Sequence, residues 1–352
     1  MKRFKVLLIL TVFVLLFISL FTCYDCVAKG VTSGLYLCAD VVIPSLFPVL
    51  CITSCFSYSG VINVFAKKLE KVSKKLFNTS GYFLPVFLLS LVSGYPVGAS
   101  ISQSLYKDGR ISLYERNNIA CVSCSAGPGF VLLATGVAIL HSFDCGAVLL
   151  VCHLLASITV AVIISRFFKY TYFFESKNDK VCIGDALVMG VGASTSSIIS
   201  ICAYTVIFSA IINLLSAFLR ETVIYLPLVS MLEVTNAVYS LASENVNLPF
   251  ISAVLGFGGF SVIFQISSML GNDRPPISRI IFIRLIHSFI SFIYCSIAMK
   301  VFEITVPVAI VSDPVIKYSS DNFLFSFSLL ILLIVFLGFF NKLIKKENFS
   351  FI

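Results

Sequence analysis

Leu91-Val92-Ser93-Gly94-Tyr95-Pro96-Val97-Gly98-Ala99 interrupts the apolar run 82–106 with two glycines and a proline. Proline lacks the amide proton that a helix interior uses, and glycine gives up more chain entropy than any other residue, so one uninterrupted helix is not expected here. The chain around this motif is apolar almost throughout. Of 352 residues 59% are hydrophobic and 12% charged, Trp is absent, and the mean hydropathy is +1.02. Such a composition belongs in a bilayer, where about 20 apolar helical residues cross roughly 30 Å of hydrocarbon. It excludes a soluble enzyme, a nucleic-acid binder and a disordered chain. Broken backbone at membrane depth survives only where protein or a wet cavity covers it. Ser93–Gly98 therefore reads as the tip of a helical hairpin that enters the membrane and returns.

Apolar segments run at about 6–24, 35–62, 82–106, 117–140, 145–165, 186–218, 225–243, 248–270, 280–302 and 322–340. The first stands behind Lys2, Arg3 and Lys5, as a signal peptide or an anchor would. An anchor is expected, because the run is long for a signal and Leu20-Phe21-Thr22-Cys23 lacks the small residues of a lipoprotein processing site. If all ten segments cross singly, the 25 Lys and Arg residues divide 15 to 10 across the membrane, against the positive-inside rule. If 82–106 and 225–243 are hairpins instead, the division is 21 to 4, with Lys29, Arg220, Lys300 and Lys317 alone on the far side. Both termini are then cytoplasmic.

The second proposed hairpin carries a carboxylate and an amide mid-segment, in Leu232-Glu233-Val234-Thr235-Asn236-Ala237. Each hairpin follows a long span containing polar residues. Each precedes a glycine-interrupted span (Ser123-Cys124-Ser125-Ala126-Gly127-Pro128-Gly129; Gly256-Phe257-Gly258-Gly259-Phe260-Ser261) and then a plainer one. The first set begins on one side of the membrane and the second on the other, the inverted internal symmetry of secondary transporters. The expected fold is an all-α polytopic membrane protein of about eight spans plus two helical hairpins in two inverted repeats. Its parts are an N-terminal anchor (1–30), a first repeat (31–168), a second, inverted repeat (169–305) and a C-terminal span with a basic tail (306–352).

Twelve cysteines include two CxxC spacings, Cys23/Cys26 and Cys121/Cys124, and the histidines His141, His153 and His287 lie remote from both in sequence. Small apolar packing residues are the expected role for the thiols, with a Cys23–Cys26 disulfide left open. No metal site and no cofactor are expected. With no Ser/His/Asp set or paired carboxylates in the spans, an enzyme is not expected either.

The motifs Pro44-Ser45-Leu46-Phe47-Pro48, Ser93 to Ala99, Gly127-Pro128, Glu233-Val234-Thr235-Asn236 and Gly258-Gly259-Phe260-Ser261 with Gln265 carry a resemblance over residues 30–300. The chain resembles the sporulation integral membrane proteins of YlbJ type, with the nucleoside-recognition or Gate domain also found in concentrative nucleoside transporters. The resemblance implies a carrier in the cell membrane or outer forespore membrane that moves dipicolinic acid from the mother cell toward the spore. A small anionic substrate and the bilayer would be its partners, with no nucleic acid and an unidentified coupling ion. A nucleoside or ion carrier of the same architecture is the alternative. A non-transporting structural protein of the spore membrane is another.

A flat dianion needs donors that do not demand a full buried cation, and half-helix N-termini supply them. At the first tip Gly94 and Gly98 would let the backbone approach, Pro96 would open the returning helix, Ser93 would cap it, and Tyr95 would stack on the ligand ring. Glu233 is the one acidic residue deep in an apolar segment and is a functional candidate on that ground. Its candidate roles are donor to a substrate carboxylate, proton-coupling group, or ligand of a co-transported cation. Thr235, Asn236, Ser123, Ser125, Ser261 and Gln265 would complete the polar lining. Arg284 and His287 read as interfacial, and His153 as an interior histidine without a role.

Overall fold

The computed structural model describes residues 21–170, 182–244 and 246–302, with isolated positions between 10 and 18. Most of the first apolar run, all of 322–340 and the basic tail lie outside the described residues. Within them the regular structure is helical. Five helices are long and apolar enough to cross a membrane: α1 (Tyr24–Tyr58), α7 (Phe143–Ser165), α8 (Ile183–Leu219), the pair α11 (Leu248–Phe257) and α12 (Gly259–Leu270) with its terminal turn, and α13 (Ile277–Phe302). The expectation of a polytopic helical membrane protein holds. The domain boundary at residue 30 does not mark a structural break, since it falls inside α1. Cys23 and Cys26 are free thiols, so no disulfide joins them.

Proline chemistry shapes α1. Pro44 cannot donate to the carbonyl four residues back, and the turn just before it, Cys38–Val42, widens into a π-helix. After Gly60, α2 (Val61–Phe77) turns Ile62, Ala66, Ser73 and Phe77 inward and leaves Lys67, Lys68, Lys71, Lys74 and Lys75 exposed. The lysine cluster is thus the exposed face of an amphipathic helix.

The first hairpin consists of α3 (Phe83–Ser93) and α4 (Val97–Lys107). Asn63 ties its two feet together, because Oδ1 accepts from the Tyr82 hydroxyl at 3.1 Å and from Arg110 Nη1 at 2.8 Å. Glu115 repeats the tie by accepting from the Ser80 amide at 3.2 Å and from the Ser80 hydroxyl. With the feet joined, each arm of 11 residues reaches about 16 Å, half of the hydrocarbon thickness. The tip sits near the midplane.

The next crossing is α5 (Leu113–Val122), an irregular stretch through Pro128, and α6 (Gly129–Ile139), which is wound as a π-helix. Ser112 caps the start of α5, its hydroxyl accepting from the Glu115 amide at 3.2 Å. In the second half, α8 is followed by α9 (Tyr225–Leu232) and α10 (Val234–Ser243), separated by Glu233 alone. Then come the broken span α11/α12 and the plain α13. The order of elements matches that of the first half, with α2 as the addition in the first.

The two hairpins enter from opposite ends of the bundle. The span α11/α12 starts beside the foot of α10 and ends at the turn Gly271–Asp273, where Arg116 Nη2 donates to Asp273 O at 2.5 Å and Asn117 Nδ2 to the same oxygen at 3.2 Å. Residues 113–117 adjoin the foot of the first hairpin, so one membrane thickness separates the two pairs of feet. Lys169 donates its amide to Tyr114 at 3.0 Å and Asn78 reaches Phe168 O at 2.6 Å, which puts the 166–170 loop on the first hairpin's side as well. In a background without native cysteines, single cysteines at Lys107 and Lys169 should react with an impermeant thiol reagent from one face, and a cysteine at Arg220 from the other. Labelling of all three from the same face would sink this arrangement.

Backbones approach very closely along the α1/α8 seam. A Cβ added at Gly30 would lie 2.6 Å from Ala210 Cα, at Gly34 2.8 Å from Val206 Cα, and at Gly190 2.7 Å from the Cys55 amide. Gly30 and Gly34, four residues apart, form a small-xxx-small face, the usual device for bringing membrane helices together.

Candidate functional site

The crossing breaks and the hairpin tips meet at one cleft that draws on both halves of the chain. Tyr95 comes from the tip before α4, and Gly127 and Phe130 from the start of α6. From the second half come Glu233, Val234 and Thr235 at the start of α10, and Ser261, Val262 and Gln265 in the first two turns of α12. Val42 and Leu46, next to the π-turn of α1, face Ile201 and Thr205 of α8 across it. The beginnings of α6, α10 and α12 thus border one cleft beside the tip that precedes α4, with no basic side chain in its wall and with the α10 end capped by Glu233.

Glu233 is 2% exposed and serves as the N-cap of α10. Its Oε2 accepts from the Asn236 amide at 2.8 Å and from Asn236 Nδ2 at 2.9 Å, while Oε1 accepts from the Thr235 hydroxyl at 3.2 Å. Every one of these partners donates, so the local geometry suits an acceptor. Asn236 also donates to Ser209 Oγ at 2.8 Å, which anchors the tip to α8. Gly259, at φ +80°, lets α12 pass the tip: a Cβ there would lie 3.0 Å from Leu232 O. Two residues on, the Ser261 hydroxyl is buried with no hydrogen-bond partner.

Of the residues singled out from sequence, the cleft brings together Tyr95, Glu233, Thr235, Ser261 and Gln265. Asn236 stands one hydrogen bond behind it. Gly94, at φ +83°, touches protein: a Cβ there would lie 2.7 Å from the Gly127 amide, and one at Gly98 would meet the Ser123 carbonyl. These glycines make the first tip and the α5/α6 break cross at backbone contact. Pro96 holds the N-cap position of α4 and follows a cis peptide bond. Ser93 does not cap α4, because its hydroxyl donates to Leu89 O at 2.7 Å in its own helix. The Ser123 hydroxyl is buried without a partner, and that of Ser125 turns away to His153 Nε2 at 2.9 Å and Ser157 Oγ at 2.8 Å.

Arg284 and His287 are not interfacial. They are 1% and 2% exposed in the interior, and the His287 ring lies 4.6 Å from that of His153. His153 Nε2 also accepts from the Ala126 amide at 2.9 Å, so this histidine helps hold the α5/α6 break open. A signal was present in the sequence: Ile280, Arg284, His287, Ser291 and Cys295 recur at the spacing of one helix face, and all five are buried.

The chain is similar to the sporulation integral membrane protein YlbJ of Bacillus subtilis (strain 168), at 22% identity over 343 residues that cover 85% of this chain and 84% of that protein. No family model matches the chain. No solved structure matches it.

Proposed function

For this chain of YlbJ type, we propose the transport of a small organic anion across a membrane of the sporulating cell, with dipicolinic acid as the substrate. The observation that carries this reading is the meeting of the beginnings of α6, α10 and α12 and the tip before α4, from both halves of the chain, at one cleft. Broken helices with their positive ends toward a common space suit an anion and offer nothing to a scaffold. The aromatic ring of Tyr95 suits a flat ligand. The hydroxyl of Ser261 and the amide of Gln265 supply neutral donors.

The direction from mother cell to forespore, the outer forespore membrane as location and cytoplasmic termini belong to the same proposal. Uptake into proteoliposomes carrying the purified chain tests it, with labelled dipicolinate compared against labelled nucleosides. Accumulation of dipicolinate above empty liposomes, competed by unlabelled dipicolinate and not by nucleosides, is the expected result. Preferential uptake of a nucleoside would make this a nucleoside carrier of the same architecture. Movement of neither would leave a structural membrane protein.

A further inference from the structure

Arg284 places a permanent cation in the membrane interior, since guanidinium does not lose its proton in proteins. Its hydrogen bonds go to backbone carbonyls and a histidine: Nε to Phe257 O at 2.9 Å, Nη2 to Leu255 O at 3.4 Å, Nη1 to Cys124 O, and Nη1 to His287 Nδ1 at 3.1 Å. Phe257 is the last residue of α11, and Cys124 lies just past the end of α5. The negative ends of both broken spans therefore solvate the guanidinium. Among the described residues no carboxylate lies within ion-pair distance of it. Dipoles satisfy its donors but leave its net charge in place.

The charge stands directly behind the cleft. The Tyr95 ring covers the guanidinium at 5.5 Å, and Tyr95 is itself a cleft wall. The Tyr95 hydroxyl donates to Leu255 O at 2.6 Å, the carbonyl that Arg284 Nη2 also approaches. At Gly258, the cap residue between α11 and α12, a Cβ would lie 3.4 Å from both Arg284 Nη2 and the Tyr95 ring, so the two side chains close around the same break. The carbonyls could be bridged by neutral amide side chains. A permanent charge here is costly and adds one thing that an amide does not, a positive potential across a ring's thickness from the ligand space.

We infer that Arg284 sets the charge preference of the cleft, ranking a dicarboxylate above a monocarboxylate and both above a neutral ligand of the same shape, without touching the ligand. This selectivity role rests on the anion-transport reading.

Binding to the purified full-length chain is measured for three pyridines of nearly one shape: dipicolinate, picolinate, and the neutral pyridine-2,6-dicarboxamide. The wild-type chain should bind them in that order. Arg284→Gln should weaken dipicolinate by about tenfold or more, as removing one charge from a low-dielectric site implies, and leave the dicarboxamide nearly unchanged. Arg284→Lys, which keeps the charge and alters the hydrogen bonds, should restore the ranking. A glutamine variant that weakens all three ligands equally, or keeps the wild-type ranking, would overturn the assignment. If the glutamine variant does not fold, Tyr95→Leu decides: it keeps the charge and loses the ring, so all three ligands weaken while the ranking survives, and a collapsed ranking counts against Arg284. Binding of the anions in rank order without dipicolinate uptake would overturn the transport reading alone. Binding of no member of the panel, or of the dicarboxamide best, would overturn the selectivity role.

Discussion

Gly94→Val is expected to bring dipicolinate uptake to the background of empty liposomes while the protein is still made and inserted. Two independent effects act at this residue. Its φ of +83° is open to glycine and strained for a β-branched residue, at a cost of about 1–3 kcal/mol. A Cβ would also lie 2.7 Å from the Gly127 amide, and backbone cannot yield there as a flexible side chain would. Valine thus drives the first tip away from the α5/α6 break and pulls Tyr95 and Gly127, both cleft walls, apart. The arms stay apolar, so membrane insertion should persist. Uptake and the amount of inserted protein are measured on the same preparation. Normal uptake would show that the crossing is dispensable, and loss of the protein itself would mark Gly94 as purely structural.

At Glu233 the two substitutions to compare are alanine and glutamine. Alanine removes the acceptor of three recorded hydrogen bonds and the cap of α10, and a lost cap alone costs about 0.5–2 kcal/mol. The Asn236 donors then lose the carboxyl group that satisfies both of them. Glu233→Ala should therefore lose uptake. Glutamine keeps one oxygen for the Asn236 donors and can turn its amide group toward the Thr235 hydroxyl, so the tip should hold and dipicolinate should still bind. What glutamine cannot do is gain or lose a proton or hold a cation by charge. If Glu233 couples transport to an ion, Glu233→Gln should bind but no longer accumulate, and its uptake should lose dependence on pH or on the coupling cation. Wild-type uptake with unchanged pH and cation dependence in both variants would remove Glu233 from the mechanism.

Both hairpins were legible because each breaks a rule of membrane helices in a few consecutive residues: glycine and proline at 94–98, a carboxylate at 233. The interior of α13 was not, because distance along the chain from a span's start is a poor guide to depth. Arg284 is seven residues beyond Ile277, close enough in sequence to pass for an interfacial anchor, yet it faces inward. No element was expected between the apolar segments 35–62 and 82–106, and α2 fills that interval, with only Ile62, Ala66, Ser73 and Phe77 turned inward among five exposed lysines. His153 and His287 stand 134 residues apart, and nothing local announces that their rings meet. At the first tip the residue types were legible and their duties were not. Glycine's small size serves a backbone crossing as readily as a ligand, and only the position of Gly127 distinguishes the two.

The glycine seam between α1 and α8 bears on how the molecule can open and close. At 37 residues α8 is about 55 Å long, and near both ends of its contact with α1 the two backbones already touch at Gly30, Gly34 and Gly190. Surfaces with no side-chain cushion have no alternative rotamers to repack into, so a rocking of one half against the other about this line would break contacts with nothing to replace them. The seam therefore acts as a stationary frame. On the transport reading proposed above, alternating access falls to the pieces hung on it, the two short-armed hairpins and the broken spans beside them, whose breaks supply the hinges.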